Sequence, residues 1–248
     1  MLKKSRQEYI LNQLNQFGFI KINEIQEQLN VTEMTIRRDL TELEQKGKLI
    51  RVHGGAQKIK SPSIVDLEHE ARKIINQEKK EIIARKAASL IQDNDVLFIS
   101  ASTTNEMIYP YVKAKNVTVV TNCIYIFFQY SNKPNFEAIL IGGKYNTLIQ
   151  SFLGTISLRT ISTMNFTKAF VGANGINDNT LSASNDEESL FHSMAMDRSL
   201  EKYIVCDSTK FNTNSFYNFY TLDKVTAIIT DTPDIEKIHD YRELTNII

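Results

Sequence analysis

Residues 31–56 read VTEMTIRRDLTELEQKGKLIRVHGGA, and this stretch decides the nature of the first sixty residues. Thr32 is a good N-cap for a helix over about residues 33–46 that stops at Gly47. With Ile36 at the centre of the buried face, Leu40 and Leu43 fall within about 40° of it at 100° per residue. Arg38 then points roughly 160° away, flanked by Met34 and Thr35, with Arg37 to one side. Guanidinium groups displayed near a helix N-terminus reach guanine edges or phosphates in a major groove. Beyond Gly47, Leu49, Ile50 and Val52 favour a strand, and Gly54-Gly55 permits a sharp turn. A short β-wing there would carry Arg51 and His53 to a nucleic-acid backbone, where contacts position but do not specify.

Working outward, residues 6–17 carry Ile10, Leu14 and Phe17 at helical spacing, and Gly18 ends that pattern. A second helix is expected from an Asn23 cap to Leu29, with Ile25 and Leu29 facing inward. Asn30-Val31-Thr32 is the tight turn into the third helix, which completes a helix-turn-helix. Charge agrees with this reading. The chain is neutral overall, yet residues 1–60 hold eleven Lys and Arg against seven Asp and Glu. A basic end on an acidic body suits double-stranded DNA as the partner of that end.

The 248 residues leave room for a second, larger domain. Residues 57–75 lose periodicity, and Ser61-Pro62-Ser63 reads as a joint, giving a winged helix over 1–57, a linker over 58–76 and a larger domain over 77–248. A helix is expected over 78–91, with Ile82, Ile83, Ala87 and Leu90 apolar. Apolar runs then recur at 96–99, 117–120, 138–141, 169–171, 203–206 and 227–229, as in central strands of a covered, mostly parallel sheet. In open sheets of this kind, ligands bind outside the carboxyl ends of the strands. The polar residues there are Ser102, Thr103 and Thr104 before an expected helix, then Asn122, Gly143, Ser151, Asn174, Asp207 and Lys210. Hydroxyls, amides, a carboxylate and a lysine on one edge suit a polyhydroxylated phosphate ester. No apolar run reaches the roughly 18 residues of a membrane span, so a cytoplasmic protein without a membrane partner is expected. Cys123 and Cys206 lie in apolar runs and read as buried small hydrophobes. The four histidines and two cysteines lack ligand spacing, so no metal is expected, and no cofactor either.

The stretch over 31–56, with Thr35-Ile36-Arg37-Arg38-Asp39-Leu40 and His53-Gly54-Gly55-Ala56, resembles the signature of the DeoR family of bacterial repressors. DVLFISASTT, VVTNC, LIGG, SFLG, FVGANGI and VCDSTKF are similar to the sensor domain of that family, which resembles the ribose-5-phosphate isomerase and coenzyme A transferase fold. Within the family the chain looks most like the lactose phosphotransferase-system repressors, which respond to tagatose phosphates. The resemblance implies operator binding through the first segment, with Asp39 orienting a neighbouring arginine. It also implies a phosphorylated sugar effector, its phosphate held by Ser102, Thr103 and Thr104 and its sugar end lined by Asn122, Gly143, Ser151, Asn174, Asp207 and Lys210. Two departures stand out. Ser102 replaces a usual Gly, and Asp93-Asn94-Asp95 replaces Asp-Gly-Asp.

Two other functions fit parts of this pattern. A sugar-phosphate isomerase with an appended DNA-binding domain would need a carboxylate base, but the loop matching its acidic segment reads Gly172-Ala173-Asn174-Gly175-Ile176. A dinucleotide sensor would need a Gly-x-Gly-x-x-Gly turn, which the chain lacks. The expectation is therefore a non-enzymatic repressor acting as a homodimer or homotetramer on operator DNA.

Overall fold

Ile10 and Leu14 of helix α1 (Lys3–Phe17) are buried in a small core with Ile22 and Ile25 of α2 (Ile22–Leu29) and Ile36, Leu40 and Leu43 of α3 (Glu33–Gln45). A three-stranded antiparallel sheet closes it, in the order β1 (Phe19–Lys21), β3 (Gly55–Lys58), β2 (Leu49–Val52). The computed structural model describes residues 3–17, 19–46, 48–52, 54–58, 69–232 and 236–248, and the chain divides into two units, residues 1–61 and 62–248. Gly18, Gly47, His53, residues 61–63 and the side chain of Phe17 lie outside this description.

The caps differ from the sequence reading at one helix. Thr32 caps α3 as expected, its Oγ1 accepting from the Thr35 N–H. Asn23 does not cap α2, whose N-cap is Lys21, two residues earlier and without a side-chain cap bond. Instead the Ile22 N–H donates to the Gly54 carbonyl at 3.0 Å, so the turn of the wing closes the helix start. Gly54 holds φ +80 there, a left-handed conformation that glycine adopts without strain. Elsewhere asparagine fills this role: Asn30, Asn76, Asn94, Asn116, Asn132, Asn135 and Asn212 all have positive φ. Asn94, at φ +67, takes a conformation that glycine adopts without strain.

In the larger unit, α4 (His69–Ile74) and α5 (Gln77–Ser89) precede the sheet. The remaining elements are β4 (Val96–Ile99), β5 (Val117–Thr121), α6 (Ile124–Tyr130), β6 (Phe136–Leu140), β7 (Lys144–Asn146), β8 (Ser151–Leu153), α7 (Thr155–Ile161), β9 (Phe166–Gly172), β10 (Gly175–Asn177), β11 (Thr180–Ala183), α8 (Asp186–Asp197), β12 (Ser199–Val205), β13 (Tyr217–Thr221), β14 (Ala227–Ile229) and β15 (Asn246–Ile247). Seven strands form one sheet in the order β15-β14-β12-β9-β4-β5-β6, and every neighbouring pair is parallel. The period of two then makes the layers. Phe98, Ala169, Val171, Ile204 and Ile228 enter one core with Phe191, Ala195 and Met196 of α8, whereas Leu97, Ile99, Phe170, Val205 and Ile229 enter another with Ile83, Ala84 and Ala87 of α5.

Three features depart from the sequence reading. Ile82 of α5 is exposed, because the buried stripe of that helix is Lys80, Ile83, Ala84, Ala87 and Ala88. The helix expected after Thr104 is a pair of 3-10 turns, Asn105–Met107 and Tyr109–Tyr111, and Pro110 at the second cannot continue an α-helix. Residues 69–74 are helical although the segment has no legible periodicity. Cys123 and Cys206 are buried free thiols; burial pushes the Cys123 pKa up to about 11 and that of Cys206 higher still. No described helix is long and apolar enough to cross a membrane.

Candidate functional site

On α3, Arg37 and Arg38 are exposed, Met34 is 63% exposed, and Thr35 is half-buried beside them. Arg37 pairs with Glu33 one turn back at 2.6 Å, and among the described residues Arg38 has no ion-pair partner. The wing stands next to this face: the Arg51 guanidinium donates to Thr41 Oγ1 at 2.8 Å, and its backbone N–H donates to Glu44 Oε1 at 2.9 Å. Asp39 pairs with Arg6 of α1 and not with an arginine next to it, through Nε and through Nη2 at 3.2 Å. The reason is rotational, since three residues after Ile36 a side chain still lies on the buried side. The pair raises the Arg6 pKa, chiefly through that side-chain hydrogen bond. The pair keeps the Asp39 carboxylate off the outward face of the helix.

The larger unit holds a cavity of ≈ 360 Å³ at the carboxyl ends of β4, β9 and β12, three neighbours in the sheet. Ser102, Thr103, Thr104, Asn174, Asp207 and Lys210 all line it. The Ser102 Oγ accepts from the N–H groups of Thr104 at 3.2 Å and Asn105 at 3.5 Å. Its hydroxyl therefore takes up amides that a glycine at this place would leave to an anion. Asp207 caps the next turn, accepting from the Thr209 N–H at 2.9 Å and from its hydroxyl. Buried Asp231 fixes the same loop, accepting from the Ser208 N–H at 2.6 Å while pairing with Lys79 at 3.2 Å.

Asn122, Gly143 and Ser151 are not in the lining, and the first two have a packing duty instead. Asn122 ties the Ala101 N–H (3.3 Å) to the Phe152 carbonyl (3.2 Å), joining the loop after β4 to β8. A Cβ on Gly143 would stand 2.1 Å from Ser157 Oγ and 2.6 Å from the Leu153 carbonyl oxygen. Ser151 is fully buried in β8.

Helices supply the lining residues that a search behind strands misses: Arg72, Asn76 and Lys80 around the α4–α5 junction, and Glu188 and His192 of α8. Lys80 has a legible signal, a lysine in the apolar stripe Ile83-Ala84-Ala87 of its own helix. It is 5% exposed and its Nζ donates to the Arg72 carbonyl. Burial pushes its pKa down, the Asp207 carboxylate opposes this, and Lys210 and Arg72 add to the lowering. Three cationic side chains thus share the cavity with the Asp207 and Glu188 carboxylates, and an anion placed among the cations relieves their mutual repulsion.

Comparison with known proteins agrees with both halves. Residues 6–62 match the DeoR-like helix-turn-helix domain and residues 75–232 the DeoR C terminal sensor domain. The lactose phosphotransferase system repressor of Streptococcus mutans is 37% identical over 250 residues, with all of both chains covered. Those of Staphylococcus epidermidis and Staphylococcus aureus are 34% identical, again over the full length of both chains. Among solved structures, eIF2B beta from Chaetomium thermophilum aligns at TM-score 0.47 and 15% identity, covering 68% of this chain and 54% of that one. Ribose 5 phosphate isomerase A from Neisseria gonorrhoeae aligns at TM-score 0.36 and 13% identity, covering 54% and 53%. With a helix-turn-helix and a sensor domain that both match, and full-length relatives above 30% identity, the chain belongs to the DeoR family of transcriptional repressors.

Proposed function

We propose that this protein represses a sugar-catabolism operon in the cytoplasm, and that a phosphorylated sugar in the cavity of its sensor unit modulates its hold on operator DNA. The observation that carries the ligand class is the crowding of Arg72, Lys80 and Lys210 around Ser102–Thr104. A buried lysine whose nearest cations disfavour its charge gains from a bound phosphate, and the hydroxyls supply hydrogen bonds to it. The relatives named for the lactose phosphotransferase system support a sugar as the remainder of the ligand.

On DNA, two copies related by a two-fold axis place their α3 helices in successive major grooves, as a homodimer or as a pair of dimers. Thr32, Met34, Thr35, Arg37 and Arg38 face the groove, and Arg51 and His53 reach the backbone. The segment up to Ile75 is the relay, for its end supplies Arg72 and Ile75 to the cavity wall. An effector shifts the DNA-binding equilibrium only by the difference in its affinity for the two states.

The cavity binds without turnover in this reading. Asn174 offers an amide where an isomerase needs a carboxylate, and an amide is no base at neutral pH. Of the two carboxylates in the lining, Asp207 is already engaged by Thr209, and Glu188 stands on α8 and not in the loop after β9. A thermal-shift series of the full chain with phosphorylated hexoses, their parent sugars and inorganic phosphate tests the proposal. A ligand at about 100 times its dissociation constant is expected to add roughly 2.7 kcal/mol of stability. A rise with a phosphosugar and none with its parent sugar is the expected result; a flat series would overturn the ligand assignment.

A further inference from the structure

Helix α8 runs away from the carboxyl edge of the sheet, because it leads into β12 at that strand's amino end. Its first two turns therefore stand beside the loops that end β9 and β12. Its buried face carries Glu188, Ser189, Phe191, His192, Ala195 and Met196 at helical spacing. Phe191, Ala195 and Met196 enter the apolar core, whereas Glu188 and His192 line the cavity. Two of the three polar members of this face thus fall where the cavity is.

His192 is 2% exposed, and its ring is held edge-on against Phe219 with centroids 5.4 Å apart. Its Nε2 lies 4.0 Å from Glu188 Oε1, too far for a hydrogen bond. Its Nδ1 is buried and, among the described residues, has no hydrogen-bond partner. Native proteins rarely leave such an atom unmet, and His192 is one of the residues of the cavity wall. Burial holds the imidazole pKa at about 3, so the ring is neutral and has one donor and one acceptor. A hydroxyl both donates and accepts, which suits a neutral imidazole in either tautomer.

Resting on the phosphosugar reading above, we propose that Glu188 and His192 read the carbohydrate end of the effector, with the His192 imidazole taking one sugar hydroxyl and the Glu188 carboxyl group a second. The charges orient the ligand accordingly. Its phosphate goes to the Arg72, Lys80 and Lys210 cations, and the Glu188 side chain keeps the phosphate away from α8. Arg72, Lys80 and Lys210 select for phosphate, and α8 selects which sugar.

The test is calorimetric titration of the full chain and of His192→Phe, Glu188→Gln and His192→Asn. The probes are inorganic phosphate and the 6-phosphates of glucose, galactose, fructose and tagatose. Phe keeps the contact with Phe219 and removes the nitrogens. His192→Phe and Glu188→Gln are each expected to weaken the best-bound hexose phosphate by roughly 10- to 100-fold, with affinity for inorganic phosphate kept within about twofold. His192→Asn, which retains a hydrogen-bonding group, is expected to recover part of the loss and stands in if the Phe variant does not fold. Equal losses for hexose phosphate and inorganic phosphate, or no loss for either, would overturn the role of α8 while leaving the phosphosugar reading intact. If the unaltered chain binds none of the four hexose phosphates, the phosphosugar reading fails and this inference fails with it.

Discussion

Of the two arginines on α3, Arg38 has the fewer competing duties. Arg37 is tied to Glu33, whereas Arg38 is exposed and without an ion-pair partner among the described residues. Arg38→Ala is expected to weaken operator binding by roughly 1–3 kcal/mol while leaving binding to random DNA nearly unchanged. Fluorescence anisotropy on operator and scrambled duplexes reads both; equal losses would mark a phosphate contact instead. The outward placement of Met34, Arg37 and Arg38 follows from helical period alone, because one helix turned against a core has only one outward face. Arg72, Lys80, Glu188 and His192 were not legible as a group. Each sits on a helix, and nothing in the linear order says that three helices meet at one sheet edge.

At the scale of elements, the Arg6–Asp39 pair staples α1 to α3. Asp39 is almost wholly buried, so removing its partner leaves a carboxylate in the small core beside Ile36 and Leu40. Arg6→Ala is expected to destabilise the winged helix by about 3 kcal/mol and to abolish operator binding at 37 °C. Urea denaturation followed by circular dichroism checks this, and an unchanged midpoint would show the pair to be dispensable. The strands of the parallel sheet were readable because burial on both faces makes them continuous apolar runs. The hairpin β7–β8 and the sheet β10-β11-β13 were not. Their strands are three to five residues long and mix polar with apolar side chains, so no period of two can establish itself. Position 143 looked like a place of close ligand approach for a related reason. Its lack of a Cβ does serve close approach, but of Ser157 and Leu153.

For the molecule as a whole, the buried neutral imidazole of His192 links stability to pH. Its folded pKa of about 3 lies below the 6.5 of a free imidazole, so between those values the unfolded chain takes up a proton that the folded chain refuses. Stability is therefore complete above pH 6.5 and falls as the pH drops toward 3, by up to roughly 1.4 kcal/mol per pH unit from this group. In His192→Phe the fall between pH 6 and pH 4.5 is expected to be shallower by about that slope. Parallel stability curves for the two proteins would show that His192 takes its proton in the folded state. The sequence by itself determined the helix-turn-helix, the wing, the parallel sheet and the polar loops behind β4, β9 and β12. Those features are written in local periodicity, caps and turns, which neighbours along the chain enforce. Only the tertiary structure decided that β12, β9 and β4 are adjacent, that Lys80 and His192 share a cavity with Ser102–Thr104, and that Asn122, Gly143 and Ser151 do not. Strand order and helix docking arise from contacts between residues far apart in the chain, and no local pattern encodes them.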